Sequence, residues 1–386
     1  MDKRFSDPSI RVLLVDDQPI IAEAIKHLLE GDSNIKFYYC KDGTKALQKA
    51  LEISPTVILQ DLMMPDINGL DLLKYFRAHS QTKEIPMIVL SAREEPIIKA
   101  KAFALGANDY LVKIPSKEEL LARVHYHSNA YHRLLQRNEA YDKLEKSEKL
   151  LLSELKEAAG YVESLLPRPI KDDPISIDWR FIPSTQLGGD AFSYHWIDDD
   201  HFAFCLLDVC GHGVGAALLS VSVVNVLRSQ SLPKTDFLDP VSVLNSLNNT
   251  FPMEKHNEMF FSMWYGVYSQ KNKEITYSNA GHPPPVLISD KTEEPLSTNG
   301  FMVGISSKPN FQKNSKQVKA GDIIYIFSDG AFEIPKPDGT MLSYEDFVSY
   351  LCSNKDKGLD AIVQHIQEEN GSPNLNDDLC LIKITI

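Results

Sequence analysis

The stretch Asp208-Val209-Cys210-Gly211-His212-Gly213, running on into Val214-Gly215-Ala216-Ala217, decides how the C-terminal half of this chain is read. An apolar run, Phe202 to Leu207, ends in a carboxylate and a glycine-rich turn, and a helix of small residues begins. That is a strand delivering an acid to the rim of a sheet, with glycines that let a ligand approach the backbone. A second acid stands upstream in Gly188-Gly189-Asp190. Ala191 to Ile197 reads as a strand, Asp198-Asp199-Asp200 as a turn, and His201 to Leu207 as the returning strand. A hairpin centred on Asp199 sets Asp190 opposite Asp208, with Cβ atoms roughly 4.5–5.5 Å apart. Carboxylates that close repel, and one protonates unless a cation intervenes. Hard divalent cations, which prefer oxygen ligands, remove the conflict.

The same device recurs downstream. An apolar strand, Asp322 to Phe327, ends in Ser328-Asp329-Gly330, and Asn376-Asp377-Asp378 opens a final strand from Leu379 to Ile386. A lone strand-end aspartate is ordinarily a turn or cap residue. Four acidic positions at strand ends, most with glycine beside them, point instead to a metal cluster. The remaining strands are Ser176–Ile182, 259–268, 274–279, 285–289 and 322–327. Helices are expected at Gly215–Gln230, Asp239–Phe251, Ser343–Asn354 and Gly358–Asn370. Hairpins such as that between Tyr268 and Glu274 favour antiparallel sheets, hence an α+β layered domain over 171–386. Asn279-Ala280-Gly281-His282-Pro283-Pro284 reads as a rigid turn, with His282 packing against the site rather than touching substrate.

The N-terminal 8–124 segment alternates strand and helix. Strands at Arg11–Val15, Lys36–Cys40, Val57–Leu59, Met87–Leu90 and Tyr110–Val112 are separated by helices at Pro19–Glu30, Gly43–Ile53, Gly69–His79 and Pro96–Leu105. This is a doubly wound parallel α/β sheet, in which chemistry lies at the carboxyl ends of the strands. There the chain places Asp16, Asp17, Asp61, Ser91 and Lys113. Acids converging with a hydroxyl and an amine describe a site for a small cation and a phosphoryl group.

Between the two domains, over 125–170, lies a helical linker. Ala130, Leu134, Arg137, Tyr141, Leu144, Glu148, Leu151, Leu155, Ala158, Val162 and Leu165 recur by fours and threes. The seam is best from Leu151 to Leu165 and predicts a coiled coil, a parallel homodimer, against the alternative of one amphipathic helix packed on its own domain. His125, His127 and His132 fall here at a spacing that makes no metal site, and they read as solvated. Pro167 and Pro169 end the helix.

Composition bounds the alternatives. The chain has 386 residues, enough for two or more domains, and a formal net charge of −13, which argues against nucleic acid as a main partner. Five scattered cysteines and no long apolar run predict a reduced, cytoplasmic protein without a membrane span, and Met1 to Ile10 lacks the apolar core of a signal peptide.

Two resemblances follow from these residues. Residues 10–124 resemble the receiver domain of two-component response regulators, through Leu14-Val15-Asp16-Asp17, the segment Asp61-Leu62-Met63-Met64-Pro65-Asp66-Ile67-Asn68-Gly69, Ser91-Ala92, and Gly106-Ala107-Asn108-Asp109-Tyr110-Leu111-Val112-Lys113. That resemblance implies a (βα)5 fold and Asp61 as the phosphoacceptor, supplied by a sensor histidine kinase. It also implies Mg²⁺ held by Asp16, Asp17 and the Met63 carbonyl, with Ser91, Tyr110 and Lys113 as switch residues. Lys113-Ile114-Pro115 departs from the family's usual Lys-Pro and leaves the shape of the following loop open.

Residues 160–386 resemble the SpoIIE/RsbU-type branch of the metal-dependent (PPM) serine/threonine phosphatases. The motifs are Leu187-Gly188-Gly189-Asp190, Asp208 to Gly213, Asn279 to Pro284, Phe327-Ser328-Asp329-Gly330 and Asn376-Asp377-Asp378. The resemblance implies an α-β-β-α sandwich with two Mn²⁺ or Mg²⁺ ions on Asp190, Asp208, the Val209 carbonyl and Asp329, completed by Asp377 or Asp378, of which alignment favours Asp377. Cys210 stands where eukaryotic relatives place an acid histidine, and His212 takes a packing or loop-shaping role. Together the resemblances imply a response regulator whose output dephosphorylates a phosphoserine anti-sigma-factor antagonist, a STAS-type protein, in a partner-switching pathway. The competing reading is a non-catalytic scaffold that binds the antagonist under receiver control.

Overall fold

Alternation of apolar runs with amphipathic helices builds the N-terminal unit. In the computed structural model, which describes residues 9–92, 95–171, 174–290, 292–337 and 339–386, the chain divides into two units, Met1–Lys149 and Leu150–Ile386. Residue 8, where the first domain is expected to begin, and Met1 to Pro8 as a whole lie outside the described residues.

The N-terminal unit runs β1 (Ile10–Val15), α1 (Pro19–Leu29), β2 (Ile35–Cys40), α2 (Ala46–Ile53), β3 (Val57–Asp61), α3 (Gly69–Ala78), β4 (Met87–Ser91), α4 (Pro96–Ala104), β5 (Asp109–Val112) and the start of α5 (Lys117–Ser164). The five strands are parallel in the order β2-β1-β3-β4-β5. β1 is buried along its whole length, as a central parallel strand covered on both faces must be. α3 starts at Gly69, where a Cβ would lie 2.4 Å from the Asp61 carbonyl oxygen, so the chain can turn that tightly only with glycine.

α5 corrects one expectation. Its first turns are not a free linker: Leu120, Val124, His127, Ser128 and Tyr131 are buried, and Leu134 and Leu135 pack on the same core. His127 is therefore not solvated. It sits 3.0 Å from Asp109, which also takes two short bonds from Arg123, and His125 pairs with Asp32 at 2.7 Å. His127 thus meets a carboxylate of β5, and His125 one in the turn between α1 and β2. Past Leu135 the seam residues Tyr141, Leu144 and Leu151 are exposed, and α5 ends at Ser164, before Pro167.

The C-terminal unit continues with β6 (Ser176–Ile182), β7 (Ala191–Trp196), β8 (His201–Val209), α6 (Val214–Arg228), α7 (Pro240–Thr250), β9 (Phe261–Ser269), β10 (Glu274–Ala280), β11 (Val286–Ser289), β12 (Thr292–Pro295), β13 (Lys313–Gln317), β14 (Ile323–Phe327), α8 (Tyr344–Ser353), α9 (Leu359–Asn370) and β15 (Leu379–Thr385). Two antiparallel sheets form, β13-β10-β9-β8-β7 and β12-β11-β14-β15-β6. Alternation along the strands makes the layers. Cys205, Leu207 and Val209 pack with α6 and α7, whereas Phe202, Phe204 and Leu206 face Ile324, Ile326 and Ile382 of the other sheet. Tyr325, Phe327 and Leu381 cover α8 and α9. The result is an α-β-β-α sandwich. Two strands escaped the sequence reading, β12 and β13. Both are polar edge strands, TEEP and KNSKQ, with no apolar alternation to detect.

Candidate functional sites

In the N-terminal unit the strand ends bring together the residues expected there. Asp16, Asp17 and Asp61 place ligand atoms within 4.8 Å of one another. Lys113 lies 2.8 Å from Asp61 and 3.0 Å from Asp16. Asp16 and Asp61 are fully buried, and one buried oxygen of Asp17 has no hydrogen-bond partner. Burial pushes the Asp16 carboxyl up, against the bonds from the Gln18 amide and Lys113 that stabilise its charge. Burial works against the Lys113 ammonium too, but its bonds to Asp61 and Asp16 outweigh it and hold the amine above its ordinary value. Buried acids short of positive charge fit a divalent cation, and oxygen donors suit Mg²⁺.

Of the residues expected to act as the switch, Ser91 and Tyr110 lie on β4 and β5, the strands that follow β3 in the sheet. Ser91, half-buried at the end of β4, accepts the Lys113 amide on its carbonyl at 2.6 Å. Tyr110 is buried on β5, with the Lys99 ammonium 5.6 Å from its ring centre. Met63 has an exposed side chain, and its backbone bridges to Asn68 across the turn. The departure at Lys113-Ile114-Pro115 has a backbone consequence: Ile114 adopts φ 58°, a left-handed conformation that strains a β-branched residue.

In the C-terminal unit the β7–β8 hairpin has the expected register. Ala191 pairs with Leu207 and Trp196 with Phe202, so Asp190 and Asp208 are the next opposed positions. Asp329 arrives at the end of β14, and Asp377 and Asp378 lie just before β15. Acids from both sheets thus meet at one end of the sandwich. Burial first, then the Asp208 charge, drives the Asp190 carboxyl well up, and its Oδ2 is buried without a hydrogen-bond donor. Asp208 is pushed up to about 7 by burial and by Asp329, Asp377 and Asp378. Asp329 rises to about 6 through burial, Asp377 and Glu333. Among the described residues these acids are more widely spread than the N-terminal trio, none of their triplets closing to within 4.8 Å. Mutually destabilised, half-enclosed carboxylates of this kind fit divalent cations better than protons at neutral pH.

Asp377 and Asp378 part company. Asp377 is exposed and accepts the Asp378 amide at 2.8 Å. Asp378 is buried and accepts from Ser184 N and Oγ and from Gly189 N. Val209 is fully buried at the end of β8, and its carbonyl oxygen would lie 2.8 Å from a Cβ on Gly189. Cys210 and His212 are both exposed, His212 standing between Gly211 and Gly213, which are both at positive φ. His282 is buried inside its turn as expected, Asn279 bridging to both its amide and its carbonyl. Ser328 and Ser184 were missed. Ser328 Oγ donates to the Asp378 carbonyl at 3.1 Å, accepts the Cys380 amide at 2.9 Å and lies beside the Asp190 carboxyl. Its place beside Asp329 was a usable signal; Ser184 offered none.

Comparison with known proteins matches this geometry. Residues 12–125 match the family described as response regulator receiver domain, and residues 198–386 match stage II sporulation protein E (SpoIIE). The chain joins a receiver domain to a SpoIIE-type phosphatase domain. It is 29% identical over 241 residues to phosphoserine phosphatase RsbU of Bacillus subtilis, covering 60% of this chain and 69% of that protein. It is 25% identical over 238 residues to phosphoserine phosphatase RsbP of the same organism, covering 60% of this chain and 58% of that one. The solved SiaA-PP2C domain of Pseudomonas aeruginosa shares its fold over 62% of this chain and 98% of that domain, at a TM-score of 0.54 and 16% identity. The C-terminal unit accordingly has the PP2C-type fold, and the receiver domain carries the tighter of the two acid clusters. No helix among the described residues is long and apolar enough to cross a membrane.

Proposed function

We propose that this chain is a response regulator in which phosphorylation of Asp61 controls a metal-dependent phosphoserine/phosphothreonine protein phosphatase. The observation that carries this reading is the meeting of Asp190, Asp208, Asp329 and Asp377, drawn from two sheets, at one rim where the charges of Asp208, Asp329 and Asp377 raise the affinity of neighbouring carboxylates for positive charge. Domain by domain, the receiver takes 8–124, the linker helix 125–170 and the phosphatase 171–386.

In the receiver, Asp16, Asp17 and the Met63 carbonyl hold Mg²⁺, and Asp61 takes its phosphoryl group from a sensor histidine kinase. Lys113, already paired with Asp61, meets the added charge, while Ser91 and Tyr110 rearrange beside it. In the phosphatase domain, Asp190, Asp208, the Val209 carbonyl, Asp329 and Asp377 hold two Mn²⁺ or Mg²⁺ ions. Such ions, when bound, would supply an activated water and polarise the phosphate. The chain's own part is positional. The β7–β8 register sets Asp190, with Ser328 beside it, against Asp208, and Cys210 offers no imidazole acid, so solvent protonates the leaving serine oxygen.

RsbU and RsbP are phosphoserine phosphatases. Carried to this chain, the substrate is a phosphoserine on protein, with a STAS-type anti-sigma-factor antagonist in a partner-switching pathway as the favoured one. The exposed seam through Tyr141, Leu144 and Leu151 suits a parallel homodimeric coiled coil. All five cysteines are free, as in a reducing cytoplasm.

The test is the p-nitrophenyl phosphate rate with Mn²⁺, for wild type and Asp208→Asn, with and without beryllofluoride to mimic phosphorylated Asp61. We expect activity in the wild type, at least a hundredfold loss in the variant, and a rate that changes with beryllofluoride. Indifference to beryllofluoride would remove the receiver's control. Silence on this ester and on a phosphoserine STAS protein would leave the scaffold reading instead.

A further inference from the structure

We propose that Asp378 is a positioning residue that holds Asp190 in place and does not itself ligate an ion. The proposal rests on the reading of the C-terminal acids as a metal site and divides the Asp377-Asp378 pair by task.

The carboxylate of Asp378 is already occupied. Its Oδ1 accepts Ser184 N at 2.7 Å and Ser184 Oγ at 2.9 Å, and its Oδ2 accepts Gly189 N at 2.6 Å. A carboxylate offers about four lone-pair positions, so these donors use most of its capacity. Hydrogen bonds to an ionised acceptor are the short, strong kind. The contact is close enough to dictate sequence: a Cβ on Gly188 would lie 2.4 Å from Oδ2. Asp378 is also pinned through its backbone. Its carbonyl accepts Ser328 Oγ at 3.1 Å, and Ser328 in turn reaches the Asp190 carboxyl. Asp190 is thus held from Asp378 through Gly189 on its backbone side, while Ser328, whose one O–H goes to the Asp378 carbonyl, stands beside the Asp190 side chain. The same loop is tied onward, since the Leu187 carbonyl accepts the Gly213 amide at 3.2 Å, next to the turn that follows Asp208.

Asp377 has the opposite profile. It is exposed, a backbone amide at 2.8 Å is the donor it accepts, and its charge bears on both Asp208 and Asp329. Of the two, it is the one with an oxygen to give to an ion. An outer residue that orients a ligand acts on affinity, whereas a ligand acts on stoichiometry, and that difference is measurable. Loss of such an orienting partner typically weakens metal binding about 10–100-fold.

The experiment titrates Mn²⁺ into the full-length chain by calorimetry, counting bound Mn²⁺ by electron paramagnetic resonance. An Asp17→Asn background keeps the receiver acids from contributing. Asp377→Asn is expected to bind fewer ions at every concentration. Asp378→Asn is expected to bind the same number as its parent with a Kd about 10–100-fold higher, and its kcat on p-nitrophenyl phosphate should climb back towards the parent value as Mn²⁺ is raised. An Asp378→Asn protein that lacks an ion at saturation, or that binds with the parent's affinity, overturns the proposal. If circular dichroism shows that Asp378→Asn does not fold, Ser184→Ala decides: it removes one donor from the same carboxylate and must weaken Mn²⁺ several-fold, and parental affinity there overturns the proposal. A parent that binds no Mn²⁺ would sink the metal-site reading itself.

Discussion

At the scale of single residues, the site is built by what glycine leaves out and by what burial does to charge. Gly330 follows Asp329, and a Cβ there would lie 2.1 Å from the Asp378 carbonyl oxygen, a backbone atom that cannot step aside. Gly330→Ala should therefore cost about 2–3 kcal/mol of stability and displace Asp329. Gly160, in the exposed part of α5, has nothing within 4 Å of such an atom, and Gly160→Ala should stabilise by about 1 kcal/mol. Chemical denaturation of the two variants, side by side, separates a site glycine from an incidental one. His282 makes a second test. Complete burial lowers its imidazole pKa from 6.5 to about 4, more than its bond to the Pro283 carbonyl can offset. Above pH 6.5 it is neutral folded or unfolded and contributes nothing to the pH dependence. As pH falls from 6.5 to 4 the unfolded chain binds a proton that the native state refuses, so stability drops, by about 3 kcal/mol once pH is below 4. His282→Gln removes that slope. Its stability deficit against wild type, measured in urea at pH 7.5 and again at pH 4.5, should shrink on acidification; a constant deficit would mean that the imidazole is not held neutral.

At the scale of elements, what was legible in the sequence is what hydrophobic period and glycine punctuation can encode. The β7–β8 hairpin was readable to the residue because Asp198-Asp199-Asp200 fixes its centre and apolar alternation fixes its faces. The strand-end acids were readable for the same reason. β12 and β13 were not, because an edge strand owes its place to backbone pairing with β11 and β10 rather than to its side chains. Nor was the bracket made by Asp378, since Ser184 is 194 positions away and no local pattern announces it. The joint between β5 and α5 was hidden in the same way: Asp109 and His127 look like surface residues until the helix is laid on the sheet. Asp109 binds Arg123 at 2.6 and 2.7 Å and His127 at 3.0 Å, with a side chain only 13% exposed. Asp109→Asn strands these donors and should destabilise the receiver by about 2 kcal/mol, while leaving the Asp61 cluster intact. Urea melts, together with retained beryllofluoride binding, check both halves of that statement.

At the scale of the whole molecule, α5 is the one element that belongs to both units, packed on the receiver as far as Leu135 and continuous to Ser164. If the receiver acts on the phosphatase through this helix, the signal is carried by helical phase. A residue advances the helix by about 100°, so a two-residue insertion after Glu139 turns everything downstream by roughly half a revolution. A seven-residue insertion completes about two turns and keeps the 3.5-residue seam in step. The expected outcome is specific. With seven residues inserted, the phosphatase rate should still respond to beryllofluoride. With two inserted, the response should vanish while the Mn²⁺-dependent basal rate stays, because no acid of the site has been touched. Rates of both insertions on p-nitrophenyl phosphate, with and without beryllofluoride, decide the matter. If both keep the response, the helix is a tether and control passes by local concentration alone. If both lose it, the length of the helix rather than its phase is what the receiver uses. Only the split result identifies α5 as a rigid transmitter, and it also requires the seam through Leu144 and Leu151 to be engaged, because a lone exposed helix of that composition has nothing to hold its phase.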